Sequence, residues 1–183
     1  MLRDDRNEYK NRVRCWPEDD CFFRCGVQGV VDVLPPLNTT QWVFIHLCGH
    51  NVMAFLHWLP ELIRSRDIRH AVIIASPRMM PLAQYLNFNT SICRAVISAE
   101  TSVPSIISEL TPAVTGLLPA TIARQSPALT DADFLSLCIH FRATGIPLRA
   151  FGPAGSRSSF YRYKGRLATI FGVRKLNRLL MTY

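Results

Sequence analysis

Two kinds of hydrophobic block alternate along most of this chain. Residues 41–47 (QWVFIHL), 68–76 (IRHAVIIAS) and 92–98 (ICRAVIS) are nearly continuous apolar runs, long enough for strands buried on both faces and too short for helices. Between them, residues 52–65 place Leu56, Leu59, Leu62 and Ile63 on one side at helical spacing. Residues 77–87 (PRMMPLAQYLN) read as a short helix opened by Pro77, and 102–116 (SVPSIISELTPAVTG) as a helix with Pro104 near its start and Gly116 past its end. Upstream, 13–16 (VRCW) reads as a short strand and 19–34 as a helix bearing Phe22, Phe23, Val27, Val30 and Val31 behind an aspartate. Strand and helix in alternation predict an α/β unit, a parallel sheet flanked by helices on both faces.

Beyond Gly116 the pattern changes. Two prolines and little periodicity mark 117–128 as a linker, and 1–12 as a charged, flexible start. Thr130 then suits a helix N-cap, Asp131 and Asp133 suit the positive end of that helix, and Gly145 suits its stop. One or two helical turns are expected in 146–155, and Ser156 is a second N-cap. After it, Phe160, Leu167 and Phe171 form an apolar stripe, with Arg157, Arg162, Lys164 and Arg166 on other faces, and a last short helix closes the region. Helix, short helix, turn, basic helix, helix is the outline of an all-α helix-turn-helix module. The expected organisation is therefore 13–116 α/β, 117–128 linker and 129–183 helical.

Charge sharpens this division. From Phe134 onward the chain holds no Asp or Glu but carries Arg142, Arg149, Arg157, Arg162, Lys164, Arg166, Arg174, Lys175 and Arg178, against a net charge of +8 for the 183 residues. A basic stretch of this kind fits double-stranded DNA. The N-terminal dozen residues lack a secretory signal pattern, and the longest apolar run, 43–59, is broken by His46, His50, Asn51 and His57, so a cytoplasmic protein with no membrane span is expected. Six cysteines without CxxC pairing read as reduced structural thiols. His46, Cys48, His50 and His57 include zinc-type donors, yet their spacing fits no common zinc module, and no metal or other cofactor is expected. Neither Cys48 with His50 nor Ser76 has the surroundings of a nucleophile, so no enzyme activity is expected.

The C-terminal residues carry a resemblance. Leu129, Thr130 and Asp133, then Gly145, then Ser156, Ser159, Phe160, Tyr163, Leu167, Phe171, Gly172 and Val173 follow the pattern of the DNA-binding domain of LuxR/FixJ-type transcription regulators. The stretch between Gly145 and Ser156 is about two residues short for that family and carries Pro147, Gly152, Pro153 and Gly155. The N-terminal part resembles a degenerate receiver domain: Glu18 and Asp19 stand at the acidic pair, His46 at the phosphorylated aspartate, Ser76 at the Thr/Ser switch and Ala99 at the essential lysine. In layout the whole chain is similar to enterobacterial activators of common-pilus (Ecp/Mat) fimbrial operons.

The resemblance implies a phosphorylation-independent regulator of fimbrial or virulence-type genes, acting as a homodimer or as a heterodimer with another LuxR-type regulator. The residues implied at DNA are Arg157, Ser158, Ser159, Arg162, Tyr163, Lys164, Arg166, Arg174 and Lys175, with Tyr161 fitting either the core or the groove. Residues 103–114 or 79–86 offer apolar faces for a dimer. The alternative is an interaction protein that kept the fold, lost the DNA contacts and acts by pairing with another regulator.

Overall fold

The computed structural model describes residues 13–116, 128–141 and 157–180, with the backbone alone for 157–161. Four parallel strands, β1 (Arg14–Trp16), β2 (Trp42–Leu47), β3 (His70–Ala75) and β4 (Cys93–Ser98), lie side by side in chain order. The helices α1 (Cys21–Val31), α2 (Val52–Arg64), α3 (Met80–Asn89) and α4 (Val103–Thr115) connect or follow them. The doubly wound receiver order is 2-1-3-4-5. This sheet has the same order without its first edge strand, because only residues 32–41 separate α1 from β2. Ten residues hold a short 3-10 turn at Thr39–Gln41 but not a strand and a helix.

The side-chain alternation of each strand sorts the core into two layers. Val43, Ile45 and Leu47 of β2 with Ala71, Ile73 and Ala75 of β3 face α2 and α3. Trp42 and Phe44 with Val72 and Ile97 face α1 and α4, where Val27, Val30 and Leu110 meet them. A register shift between Ala71 and Val72 lets Cys93 pack in the first layer and Ile97 in the second.

Pro104 stands in the first turn of α4, and Gly116 ends the helix at φ 71°, a left-handed cap that favours glycine. Two side chains expected on buried helix faces are instead exposed: Phe22 on α1 and Ile63 on α2. Each sits at the edge of an apolar arc that its helix does not turn fully inward. Among the described residues no helix is long and apolar enough to cross a membrane.

The C-terminal residues add α5 (Asp131–His140), α6 (Arg157–Ile170) and a 3-10 turn at Leu176–Leu180. The short helix expected in 146–155, the stop at Gly145 and the cap at Ser156 lie outside the described residues. Leu129, Phe134, Leu137, Leu167, Phe171, Leu176 and Leu179 are buried in the same cluster as the α2/α3 layer of the sheet. The Tyr85 hydroxyl on α3 donates to Asp131 at 2.8 Å, and its ring stacks on Phe134 at 4.7 Å. Met79, Leu82, Ala83, Tyr85 and Leu86 are thereby all buried, so the 79–86 face expected for a dimer is used within the chain.

Candidate functional site

Ligand sites in open parallel sheets form beyond the carboxyl ends of the strands. There, His46 closes on Asp20, its Nδ1 2.9 Å from Oδ2, with each side chain about a quarter exposed. Asp20 is also the N-cap of α1: its Oδ1 accepts from the Phe23 N–H at 2.9 Å, and the Phe23 ring stacks on His46 at 5.1 Å. That backbone N–H, and then His46, hold the Asp20 carboxyl below its usual range. The acidic residue in contact with His46 is thus Asp20, while Glu18 and Asp19 are exposed in the turn after β1. An aspartate just ahead of an apolar helical run is an N-cap signal, and that was the clue available.

Asn51 ties the next loop together. Its Oδ1 accepts from the Cys48 N–H at 3.0 Å and its Nδ2 donates to the His46 carbonyl at 2.7 Å. Cys48 Sγ lies 3.3 Å from His50 Nδ1, and burial raises its thiol above the ordinary value. Ser76 is half-buried after β3, its N–H donating to the Leu47 carbonyl at 2.9 Å, and Ala99 is exposed after β4. Among the described residues no group of three or more His, Cys, Asp or Glu is arranged to hold a metal ion.

The second candidate region is α6. It is anchored by a capping box on α5, where the Thr130 hydroxyl accepts from the Asp133 N–H at 3.2 Å and Asp133 Oδ2 accepts from the Thr130 N–H at 3.0 Å. The same Oδ2 takes the Arg166 Nε at 3.0 Å, although Asp133 is fully buried and Arg166 half exposed. Arg166 therefore braces α6 against α5 as well as facing solvent. Its stop is equally defined: Val173 N–H donates to the Ala168 carbonyl and Gly172 N–H to that of Thr169, with Gly172 at φ 63°. This is a Schellman stop, which gives the Phe171-Gly172-Val173 signature its physical content.

Leu167, Ala168 and Phe171 fix the buried side of α6. Arg162, Gly165, Arg166 and Thr169 are exposed on the other side and share one face at helical spacing. Arg162, Tyr163 and Arg166 line, with Thr130 and Ala132, an open cleft of about 600 Å³ at the start of α5. Lys164 does not join them. It stands two positions from both arginines, around the far side of the helix, half-buried and near His140, whose imidazole is held below its usual value by burial and then by the Lys164 charge. Arg174 and Lys175 are exposed in the bend after α6. Arg157, Ser158 and Ser159 are placed by backbone only, on the first turn of α6.

The family described as "EcpR N-terminal domain" matches residues 5–114, more than half of the chain. Among curated proteins the chain is similar to "Vi polysaccharide biosynthesis protein TviA" of Salmonella typhi, with 29% identity over 169 residues that cover 91% of this chain and 93% of that protein. No solved structure matches it.

Proposed function

The chain belongs to the EcpR N-terminal domain family, and on that premise we propose that it is a cytoplasmic, non-enzymatic transcription regulator that binds double-stranded DNA through α6. Its targets are fimbrial or other surface and virulence-type genes, a reading supported by the resemblance to Ecp/Mat activators and by a curated relative named for Vi polysaccharide biosynthesis. The helical region 129–183 acts as the LuxR-type DNA-binding unit, 13–116 as a receiver-like unit that needs no phosphorylation, and the regulator works as a dimer. The single observation that carries the DNA reading is the exposed face of α6, where Arg162 and Arg166 stand within a region free of acidic residues from Phe134 onward. On this reading Arg162 meets the groove, Arg174 and Lys175 meet phosphates, and Arg166 divides its role between Asp133 and the DNA.

The test is selection of a binding sequence from a random duplex pool with the full chain, then titration of the selected and a scrambled duplex at two salt concentrations. Arg162→Ala is expected to cost about 1–3 kcal/mol on the selected duplex and much less on the scrambled one. Lys175→Ala should weaken both and lower the salt slope by about one counterion. Folded variants that bind as wild type, with the same slope, overturn the reading. A second reading, an interaction protein that pairs with another LuxR-type regulator, draws support from the shared core of α5, α6 and the α2/α3 layer. It predicts no selected sequence for the chain alone and a shifted complex only when the second regulator is added.

A further inference from the structure

We propose that Arg69, His70 and Arg94 form a binding site for a phosphate group at the amino ends of β3 and β4, on the open side of the sheet. The site is built on Trp42. It stands opposite His70 in the register of β2 and β3, its ring lies 4.7 Å from the imidazole, and it is 5% exposed, so the imidazole rests on a fixed surface. Arg94 Nε donates to His70 Nδ1 at 3.0 Å. An accepting Nδ1 puts the proton of the neutral ring on Nε2. The same bond orients the guanidinium, and among the described residues its two terminal nitrogens take no other partner.

The backbone explains why an arginine of β4 meets an imidazole of β3. Ala71 pairs with Cys93 and Val72 with Ala95, which leaves Arg94 as the extra residue of a bulge, opposite no residue of β3. A bulge re-aims the side chain it carries. Arg69 is pinned just ahead of β3, its N–H donating to the Gln41 carbonyl at 2.9 Å.

Electrostatics selects the ligand. Burial first, then the charges of Arg94 and Arg69, hold the His70 imidazole below its ordinary value, and both charges are cationic. Among the described residues no carboxylate pairs with Arg69 or Arg94, and the exposed Asp67 joins neither. Helix ends do not account for these cations. Arg64 lies in the last turn of α2, where the dipole favours a cation, whereas Arg94 is on a strand and Arg69 stands just ahead of one. Two guanidiniums beside a neutral imidazole complement a doubly charged oxyanion. A phosphate ester carries about 1.5 to 2 negative charges near neutral pH and three acceptor oxygens, enough for one oriented guanidinium fork and a second arginine.

The site does not rest on the DNA reading above, and the first arm of its test uses no DNA. The ring resonances of His70, assigned by their absence in His70→Asn, are followed by NMR in the full chain near neutral pH while inorganic phosphate replaces chloride at constant ionic strength. A saturable shift is expected, weakened at least tenfold in Arg94→Gln and less in Arg69→Gln. Both positions are exposed, so circular dichroism should match wild type. Because an anion there favours the protonated ring, the His70 titration midpoint should also move upward in phosphate. The second arm adds a scrambled duplex. A shift with inorganic phosphate alone assigns the site to a free phosphate or phosphate ester. A shift with the duplex alone, with a salt slope lowered by about one counterion in Arg94→Gln, assigns it to a DNA backbone. His70 resonances that follow neither, or that follow either one equally well in Arg94→Gln, overturn the proposal.

Discussion

One face of the sheet is closed and the other is open. The α2/α3 layer continues without interruption into α5, α6 and the turn at Leu176–Leu180, and its members are almost all inaccessible. The α1/α4 layer has no such cover among the described residues: it keeps an apolar groove, two helix glycines in open space, and Phe22 and Val103 in solvent. Both layers are built on the same strands, whose side chains are mostly apolar on either face, with His46 and His70 on the open one. The difference therefore comes from which helices the chain has left over to cover them, and it places the helical region as a structural part of one layer.

Phe171→Ala should have the largest effect on the closed face. Phe171 is 1% exposed where α6 meets the shared cluster, and its loss should cost about 3–5 kcal/mol in chemical denaturation. If the closed face is one cooperative unit, the signals from sheet and helices should shift together, and two separate transitions would show that the helices fold independently of the sheet. Asp133→Ala comes next. It removes the capping box and leaves Arg166 without its carboxylate, so a loss of about 1–2 kcal/mol is expected, with Thr130→Ala reproducing part of it. Tyr85→Phe keeps the ring on Phe134 but deletes the hydrogen bond to Asp131, for a loss of about 1 kcal/mol.

The smallest effect belongs to the open side. Because the Asp20 carboxyl is held below its unfolded value, by the Phe23 N–H and then by His46, its contribution is present above the unfolded carboxylate pKa of about 3.9 and is lost as pH falls through the lower folded value. Asp20→Asn should flatten the acid limb of stability between about pH 5 and pH 2. An unchanged limb would mean the pair with His46 adds nothing to folding.

The strands were legible because burial on both faces leaves continuous apolar runs, and β2, β3 and β4 fall within the runs read from sequence. The Thr130 cap and the Gly116 stop were legible because each uses a residue type that few other geometries favour. Side-chain pairings across sequence were not. Arg166 with Asp133 and Tyr85 with Asp131 depend on how two helices are docked, which no local spacing encodes. The set expected at DNA rested on the resemblance and on charge, neither of which encodes that Lys164, two positions from Arg162 and Arg166, stands on the other side of α6. The contact between Asp20 and His46 was not read from the sequence, where the resemblance placed an acidic pair at Glu18 and Asp19; it follows from Asp20 serving as the N-cap of α1.

Gly49 shows what the closed face implies for a chain still being made. A side chain at 49 would collide with the Leu179 carbonyl, so the loop after β2 and the last turn are fitted against each other at backbone contact. The strands are complete at Ser98, and Leu179 emerges roughly eighty residues later; at about 5–20 residues per second the interval is on the order of 4–16 s. Throughout it the apolar residues of the α2/α3 layer lack the C-terminal side chains that share their cluster, a nascent apolar surface of the kind that chaperones hold. A transcript truncated before Leu129 would make that interval permanent.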